Sequence, residues 1–340
     1  MRRLALAGLL LCFVVVVLGA YVRLTAAGLG CPDWPGCYGH LSPVGAQESS
    51  TAQAAFPSRP LDVGKAWREM IHRYAASTLG LIIVALAVLA AATRRLTRIG
   101  LPLALALLAT VLVQGMLGML TVTWQLKPLI VTAHLLFGLT TLSLLWWCWL
   151  SLADQPLAAT DATTPSAGKL PGSRDAPLRA LVVAALVALG VQIALGGWTS
   201  SNYAAISCPD FPTCQGRWWP ASDYHSAFVL WRGLDINYEG GILAGPARVA
   251  IHLTHRLGAL AVTVLLLTAA LTILARRPRP AARAAAIAVL LALGLQLTIG
   301  ISMVVRGFPL WLATAHTGGA ALLLLSVIAL LRVVSGPTRA

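Results

Sequence analysis

Residues 67–74 read Trp-Arg-Glu-Met-Ile-His-Arg-Tyr and stand at the start of a long apolar segment. Glu69 and His72 are three positions apart, so in a helix their side chains lie on one face. Removing a carboxylate and an imidazole from water beside hydrocarbon is costly, and ionisable groups in such segments usually have a function and a partner elsewhere in the chain. Glu69 and His72 are therefore candidate site residues.

The composition excludes a water-soluble globular protein. Of the 340 residues, 58% are hydrophobic and 11% are charged, and the mean hydropathy is +0.80. A helix that crosses the bilayer core needs about 20 mostly apolar residues. Eight such segments begin near Leu4, Glu69, Leu101, Pro128, Leu178, Pro246, Ala281 and Pro309. The sequence predicts an all-α integral membrane protein with eight transmembrane helices.

The net charge of +14 indicates a membrane topology rather than a nucleic-acid surface. Basic residues concentrate at the N-terminus, in alternate short loops and at the C-terminus: Arg2, Arg3, Arg94, Arg95, Arg98, Lys169, Arg174, Arg179, Arg276, Arg277, Arg279, Arg283, Arg332 and Arg339. By the positive-inside rule, both termini and these loops are cytoplasmic. The long segments 25–65 and 200–245 then face outward, and no nucleic-acid partner is expected.

Several motifs occur twice at a nearly constant offset. Residues 31–37 (CPDWPGC) recur as 208–214 (CPDFPTC), His72-Arg73 recurs as His255-Arg256, and the Thr-Ala-His tripeptide at 132–134 recurs at 314–316. These matches indicate an internal duplication. Residues 1–152 and 178–340 then form two four-helix bundles joined by a cytoplasmic linker, 153–177, and an even number of helices per half makes the repeat parallel. The first segment, whose length also fits a cleaved signal peptide, is then an uncleaved helix like its counterpart.

Four histidines occupy matched positions of this duplication: His72, His134, His255 and His316. Each lies about six to ten residues into a helix that enters from the outer side, or roughly 9 to 15 Å deep. Small residues follow one turn later: Ala76, Gly80, Gly138, Gly258, Ala259, Gly319 and Ala320. Two opposed imidazoles with space for a flat group favour six-coordinate haem iron over zinc. A lone histidine would be better explained as a core imidazole bonded to a carbonyl group.

The two halves differ at one position. Glu69 precedes His72 by three residues, whereas His252 precedes His255 by three. A carboxylate beside a porphyrin could act as a general base or stabilise a developing cation, so we expect chemistry in the first half only. The alternatives for Glu69 are an anion favoured by the helix dipole and a salt bridge to a neighbouring arginine.

The roles of two groups of outer residues stay open. Cys31 with Cys37, and Cys208 with Cys214, form C-x5-C pairs where an oxidising compartment permits disulfides, and each pair is either a structural bridge or a redox pair. Four arginines near the outer helix ends could bind haem propionates or extend to the membrane interface: Arg23, Arg73, Arg256 and Arg306.

Together these residues resemble the haem A synthases of bacterial inner membranes and mitochondria. The resemblance covers nearly the whole chain, including Glu69-x-x-His72-Arg73, both Thr-Ala-His tripeptides, His255-Arg256 and the cysteine pairs. It implies an oxidoreductase that oxidises a ring methyl group of haem O to a formyl group, by two successive hydroxylations, to give haem A for terminal cytochrome oxidases. It also implies a multi-pass protein of the cell inner membrane with its long segments in the periplasm.

The resemblance also assigns roles to individual residues. His72 and His134 would hold the substrate haem O, His255 and His316 would ligate a haem b that passes electrons, and Glu69 would take part in the oxidation. The Cys31–Cys37 disulfide would be linked to function and the Cys208–Cys214 disulfide would be structural. Expected partners are the lipid bilayer, a haem O synthase and an electron donor, and the choice between monomer and homo-oligomer stays open.

The alternative from another class is a two-haem, bis-histidine electron-transfer cytochrome that modifies neither haem. It explains the four histidines equally well, but it explains neither Glu69 nor the two cysteine pairs. Haem extraction distinguishes the two, because an electron carrier returns only haem b. A transporter with inverted repeats is disfavoured, because the repeat in this chain is parallel.

Overall fold

A computed structural model describes residues 1–92, 101–153, 176–276 and 278–335. In chain order its α-helices are α1 (Arg2–Leu24), α2 (Pro43–Glu48), α3 (Ser50–Ala54), α4 (Val63–Ala92), α5 (Leu101–Thr123), α6 (Pro128–Ala153), α7 (Ala176–Ser201), α8 (Tyr224–Ala227), α9 (Gly245–Ala275), α10 (Pro280–Val305) and α11 (Leu310–Ser335). A short 3-10 helix spans Ala205–Ser207. No β-strand occurs within these described ranges.

Eight of the helices are long and apolar enough to cross a membrane, which confirms the predicted all-α membrane fold: α1, α4, α5, α6, α7, α9, α10 and α11. Their starts lie within two residues of the predicted ones, except that α4 begins at Val63 rather than near Glu69. The additional turn contains Lys65 and Arg68, so hydropathy alone does not mark it as part of the span. The predicted linker falls almost entirely on residues 154–175, outside the described residues, so the boundaries of the two halves stay a prediction.

In each half, four long helices pack in a ring. α1 and α5 each contact both α4 and α6, and α7 and α10 each contact both α9 and α11. The histidine-bearing helices, α4 with α6 and α9 with α11, therefore lie diagonally across their rings. The helix order is the same in both rings, as a parallel duplication predicts.

The two rings join along four helices. α1 packs on α11 and α6 packs on α7, so equivalent helices make equivalent contacts. Buried apolar side chains from both rings form one continuous cluster, which includes Leu142, Val182 and Leu330. The indole N–H of Trp146 in α6 also donates a hydrogen bond to the Leu325 carbonyl of α11, at 3.0 Å. In lipid, close packing and interhelical hydrogen bonds of this kind hold helices together.

The segment between α7 and α9 reaches across to the first ring. The Tyr238 amide donates a hydrogen bond to the Gln125 carbonyl in the α5–α6 turn, at 3.1 Å. The carboxylate of Glu239 lies 3.7 Å from Arg59 and 4.0 Å from Lys65. The disulfide-bearing end of the first ring is therefore covered by residues of both halves.

A carboxylate closes each disulfide loop in addition to its disulfide. In the second disulfide loop (residues 208–217), Asp210 accepts hydrogen bonds from the Thr213 hydroxyl and from the backbone N–H groups of Gln215 and Gly216. These bonds favour the charged form and lower the pKa of Asp210 from 3.8 to about 2. In the first disulfide loop (residues 31–40), Asp33 accepts the equivalent backbone bonds from residues 38 and 39.

Asp210→Asn should destabilise the protein in a pH-dependent way. Because the folded-state pKa of Asp210 is lowered, its charge contributes stability above about pH 4, and this contribution is lost as the pH falls towards 2. The difference in Tm between the wild type and Asp210→Asn should be largest near pH 6 and should shrink towards pH 2. A Tm difference that is the same at every pH would contradict the assigned role of the charge.

Candidate functional site

The four histidines lie near the same end of their helices. His72 lies nine residues after the start of α4, His134 six after the start of α6, His255 ten after the start of α9, and His316 six after the start of α11. All four helices begin at the disulfide-bearing end. Since the helices of each pair are diagonal in their ring, both histidines of a half point to a shared interior at similar depth.

The second-half pair has a spacing that fits one metal ion between two imidazoles. The ring centres of His255 and His316 lie 6.5 Å apart, with the ring planes at 78°. Two imidazoles that bind one metal from opposite sides, at about 2 Å per bond, have ring centres roughly 6 Å apart. The arrangement therefore fits a haem iron held by His255 and His316.

The polar atoms around the histidines are incompletely satisfied. Nδ1 of His72, His134 and His316 is buried and has no hydrogen-bond partner within the described ranges, and the same is true of Oε1 of Gln114, Gln192 and Gln296. Leaving such a group unbonded costs about 1–3 kcal/mol. The cost is expected where a bound group supplies the missing partner. No cluster of three or more His, Cys, Asp or Glu side chains in the described residues could hold a bare metal ion.

Glutamine amides lie beside the histidines of both halves. Gln192 Nε2 donates to the His255 carbonyl at 2.9 Å and lies 3.0 Å from Nδ1 of the His255 ring. Gln296 Nε2 lies 3.3 Å from Nε2 of His316, and Gln114 Nε2 donates to the His134 carbonyl at 2.9 Å. Gln114 and Gln296 are separated by 182 residues, the offset of the Thr-Ala-His repeat, whereas Gln192 has no glutamine at the equivalent position of α1. Gln192 was therefore not evident from the duplication.

Each imidazole also contacts a glycine on a neighbouring helix. A Cβ added to Gly19 would lie 3.1 Å from the His72 ring, and one added to Gly196 would lie 3.2 Å from the His255 ring. Likewise, a Cβ added to Gly118 would lie 3.4 Å from the His134 ring, and one added to Gly300 would lie 2.9 Å from the His316 ring. Sequence reasoning missed Gly19 and Gly196, although each stands at the same distance along the chain before the first cysteine of its pair.

The predicted space one turn below the histidines contains glutamine side chains. A Cβ on Gly138 would lie 3.1 Å from Gln114 Nε2, and a Cβ on Gly258 or Gly319 would overlap the amide oxygen of Gln192 or Gln296. Gly138, Gly258 and Gly319 thus make room for glutamine side chains, whereas we expected the small residues to leave space for a flat bound group.

Glu69 is buried, with 4% of its surface exposed. Its Oε2 accepts a hydrogen bond from the backbone N–H of Cys31 at 2.8 Å, and its Oε1 accepts one from Arg73 Nη2. The predicted salt bridge is therefore present, and it involves Arg73. A buried carboxylate with one backbone donor and one guanidinium is held in a single orientation.

His252 takes the place of Glu69 in the second half. It is equally buried, with 4% exposed, and its Nε2 lies 3.3 Å from Nε of Arg256. The geometry of the two halves is thus alike, while the chemistry differs. Among the residues that the structure describes, a buried carboxylate three positions before a histidine of the pair occurs only in the first half.

The cysteine pairs are both closed as disulfides, Cys31–Cys37 and Cys208–Cys214. Cys12 and Cys148 are buried and free. Of the outer arginines, Arg73 and Arg256 donate hydrogen bonds to carbonyl groups of the disulfide loops, and Arg23 donates to Ser200 and Ser201 carbonyls of the other half. These three arginines therefore have protein carbonyl partners, and their binding of haem propionates stays a prediction.

Comparison with known proteins identifies relatives along nearly the whole chain. The sequence model of a family of cytochrome oxidase assembly proteins matches residues 2–328. A haem A synthase of Shewanella oneidensis is 42% identical over 315 residues, which cover 92% of this chain and 90% of the relative. Haem A synthases of Granulibacter bethesdensis (27% identical, 97% of this chain and 86% of the relative) and Caulobacter vibrioides (28%, 92% and 89%) are also similar.

Gly300→Ala should displace His316, because the added Cβ would lie 2.9 Å from its ring. Gly294→Ala, on the same helix α10, is a matched control, since nothing lies within 4 Å of its added Cβ. We expect the purified Gly300→Ala protein to contain several-fold less haem and to have an altered visible spectrum, while Gly294→Ala resembles the wild type. Identical haem content and spectra for both variants would contradict a haem at His316.

Proposed function

Because the chain belongs to the haem A synthase family of cytochrome oxidase assembly proteins, we propose that His72 and His134 hold haem O as substrate and that His255 and His316 hold a resident haem b. The protein is an oxidoreductase that converts haem O to haem A, oxidising a ring methyl group to a formyl group. This membership favours the enzyme over the electron-transfer cytochrome that modifies neither haem.

The observation that carries the assignment is the difference between Glu69 and His252. The two rings place histidines and the glycines that contact them alike, and each has a glutamine amide beside its second histidine, so both suit a haem. Only the first ring adds a buried carboxylate one turn before its histidine. Oxidation of a methyl group releases protons and develops positive charge at carbon, and both are handled by a carboxylate. The substrate is therefore assigned to the first ring.

The surroundings of Glu69 suit this role. Arg73 and the Cys31 amide hold the carboxylate in one orientation, so little reorganisation is needed during the reaction. From this position Glu69 would accept a proton, orient a water molecule or stabilise a cation at the reacting carbon.

The second ring suits a resident haem. The 6.5 Å spacing of His255 and His316 and the glycines on both sides support bis-histidine ligation. When bound, haem b would supply one-electron transfer. His252 and Arg256 add no carboxylate there, which agrees with a site that carries electrons and leaves its haem unmodified.

The proposed topology follows from charge and disulfides. Within the described residues, the basic side chains Arg2, Arg3, Arg179, Arg276, Arg279, Arg283 and Arg332 lie at the helix ends opposite the disulfide loops. Disulfides persist in oxidising compartments. Both termini would then be cytoplasmic and the disulfide loops periplasmic, in the cell inner membrane. A haem O synthase that delivers substrate and an electron donor are the proposed partners.

Glu69→Gln tests the catalytic assignment, because it removes the charge but keeps a hydrogen-bond acceptor for Cys31. We expect haem O to remain bound while haem A formation falls by about 100-fold or more, the usual loss when a general base is removed. Glu48→Gln is the control, since Glu48 is exposed in the same outer segment. Haem A is measured by extraction and chromatography, and a normal yield from Glu69→Gln would remove Glu69 from the chemistry.

A further inference from the structure

We propose that the Cys31–Cys37 disulfide serves the reaction by holding Glu69 in position through Arg73, and that it has no thiol chemistry of its own. The inference rests on the proposed function of the first ring. It makes Arg73 a positioning residue and gives the first disulfide a mechanical link to the reacting carboxylate.

A backbone amide of the first disulfide loop binds Glu69 directly. The N–H group that donates to Glu69 Oε2, at 2.8 Å, belongs to Cys31 itself. The position of this amide is set by the loop that the disulfide closes. Any opening of the loop at Cys31 would therefore remove one of the two groups that orient the carboxylate.

Arg73 makes a set of hydrogen bonds that connect Glu69 to the first disulfide loop. One guanidinium binds Glu69 Oε1 and also donates to the carbonyl groups of Asp33 (3.0 Å), Pro35 (3.2 Å) and Gly36. All three carbonyls lie inside the ring closed by Cys31 and Cys37. Arg73 thus joins the carboxylate to the centre of the loop, and a planar guanidinium can make such divergent bonds where lysine cannot.

The first disulfide loop is buried against α4. Cys31 and Cys37 are both fully buried, in a cluster with Ala66 and Met70 on the turn that carries Glu69. The chain enters this loop through Gly30, where an added Cβ would lie 2.6 Å from the backbone of Lys65. Thiol exchange requires access for an attacking thiolate, so a fully buried disulfide suits a structural brace better than a redox pair.

The second ring has the same arrangement of an arginine bound to a disulfide loop, but without a carboxylate. Arg256 donates to the carbonyl groups of Cys208, Asp210 and Thr213 and lies against His252. The arginine and its loop are thus a feature of both halves. Only in the first half is the residue that they orient a carboxylate, beside the ring proposed to bind the substrate, and there the shared structural element acquires a role in the reaction.

A loosened loop should therefore reduce catalysis without preventing haem binding, because misplacing a reacting group by about 1 Å can cost about 100-fold in rate. We would compare Arg73→Gln, Arg73→Lys and the double variant Cys31→Ser/Cys37→Ser in the full-length protein. The matched controls in the second half are Arg256→Gln and Cys208→Ser/Cys214→Ser.

Two quantities are measured for each variant: the ratio of haem A to bound haem O, and amide hydrogen exchange in residues 30–40. We expect the first-half variants to lower the ratio by about 10- to 100-fold and to speed exchange in residues 30–40, with Arg73→Lys between Arg73→Gln and the wild type.

The second-half variants should leave exchange in residues 30–40 unchanged. Combining Arg73→Gln with the double serine variant should lower the ratio no further than the more severe of the two. Unchanged exchange in Arg73→Gln, or additive losses, would overturn the proposal.

A second test uses the wild-type protein, so it does not depend on the folding of a variant. Turnover is run with iodoacetamide present, and the cysteines are then analysed by mass spectrometry, with buried Cys12 and Cys148 as the background. We expect Cys31 and Cys37 to stay unlabelled while haem A accumulates. Labelling of this pair together with loss of turnover would establish thiol chemistry and overturn the proposal.

These readouts separate the inference from the function on which it rests. If the wild type made no haem A from bound haem O, the proposed function would fail. Amide exchange would still report whether Arg73 holds the first disulfide loop.

Discussion

The apolar interior of the rings leaves no water to satisfy a buried ring nitrogen or carboxylate oxygen, so each such group must find its partner within the protein or in a bound molecule. Nδ1 of His72, His134 and His316 has no partner among the described residues, and a group bound between the diagonal histidines of a ring would supply one. The 6.5 Å spacing of His255 and His316 fits a metal held from both sides.

The same constraint explains how one duplicated unit serves two tasks. Both rings retain an arginine that binds a disulfide loop, and in both the arginine contacts the residue three positions before the first histidine. A carboxylate at that position, Glu69, must be neutralised and oriented, and Arg73 with the Cys31 amide does both. His252, the imidazole at the matching position of the second ring, brings no negative charge that has to be neutralised. A single substitution in a shared framework thus separates the ring proposed to bind substrate from the one proposed to carry electrons.

Much of this was predictable from the sequence, because it depends on local pattern. Runs of about 20 apolar residues predict the eight helices, and the repeated Thr-Ala-His and cysteine motifs predict matched sites. The contacts of Gly19 and Gly196, the amide of Gln192 and the bond from Cys31 to Glu69 were not predicted. Each joins residues far apart in the chain, and no periodicity encodes which loop carbonyls an arginine will reach. The crossing of Tyr238 onto the α5–α6 turn was missed for the same reason.

The central claim is that this chain oxidises haem O in its first ring. The most direct measurement is haem extraction and chromatography from a strain that makes haem O but no haem A, with and without this protein. The account predicts haem A only when the protein is present, together with haem b in the purified protein. Recovery of haem b alone, with haem O unchanged, would contradict it and would make the first ring a second electron-transfer site.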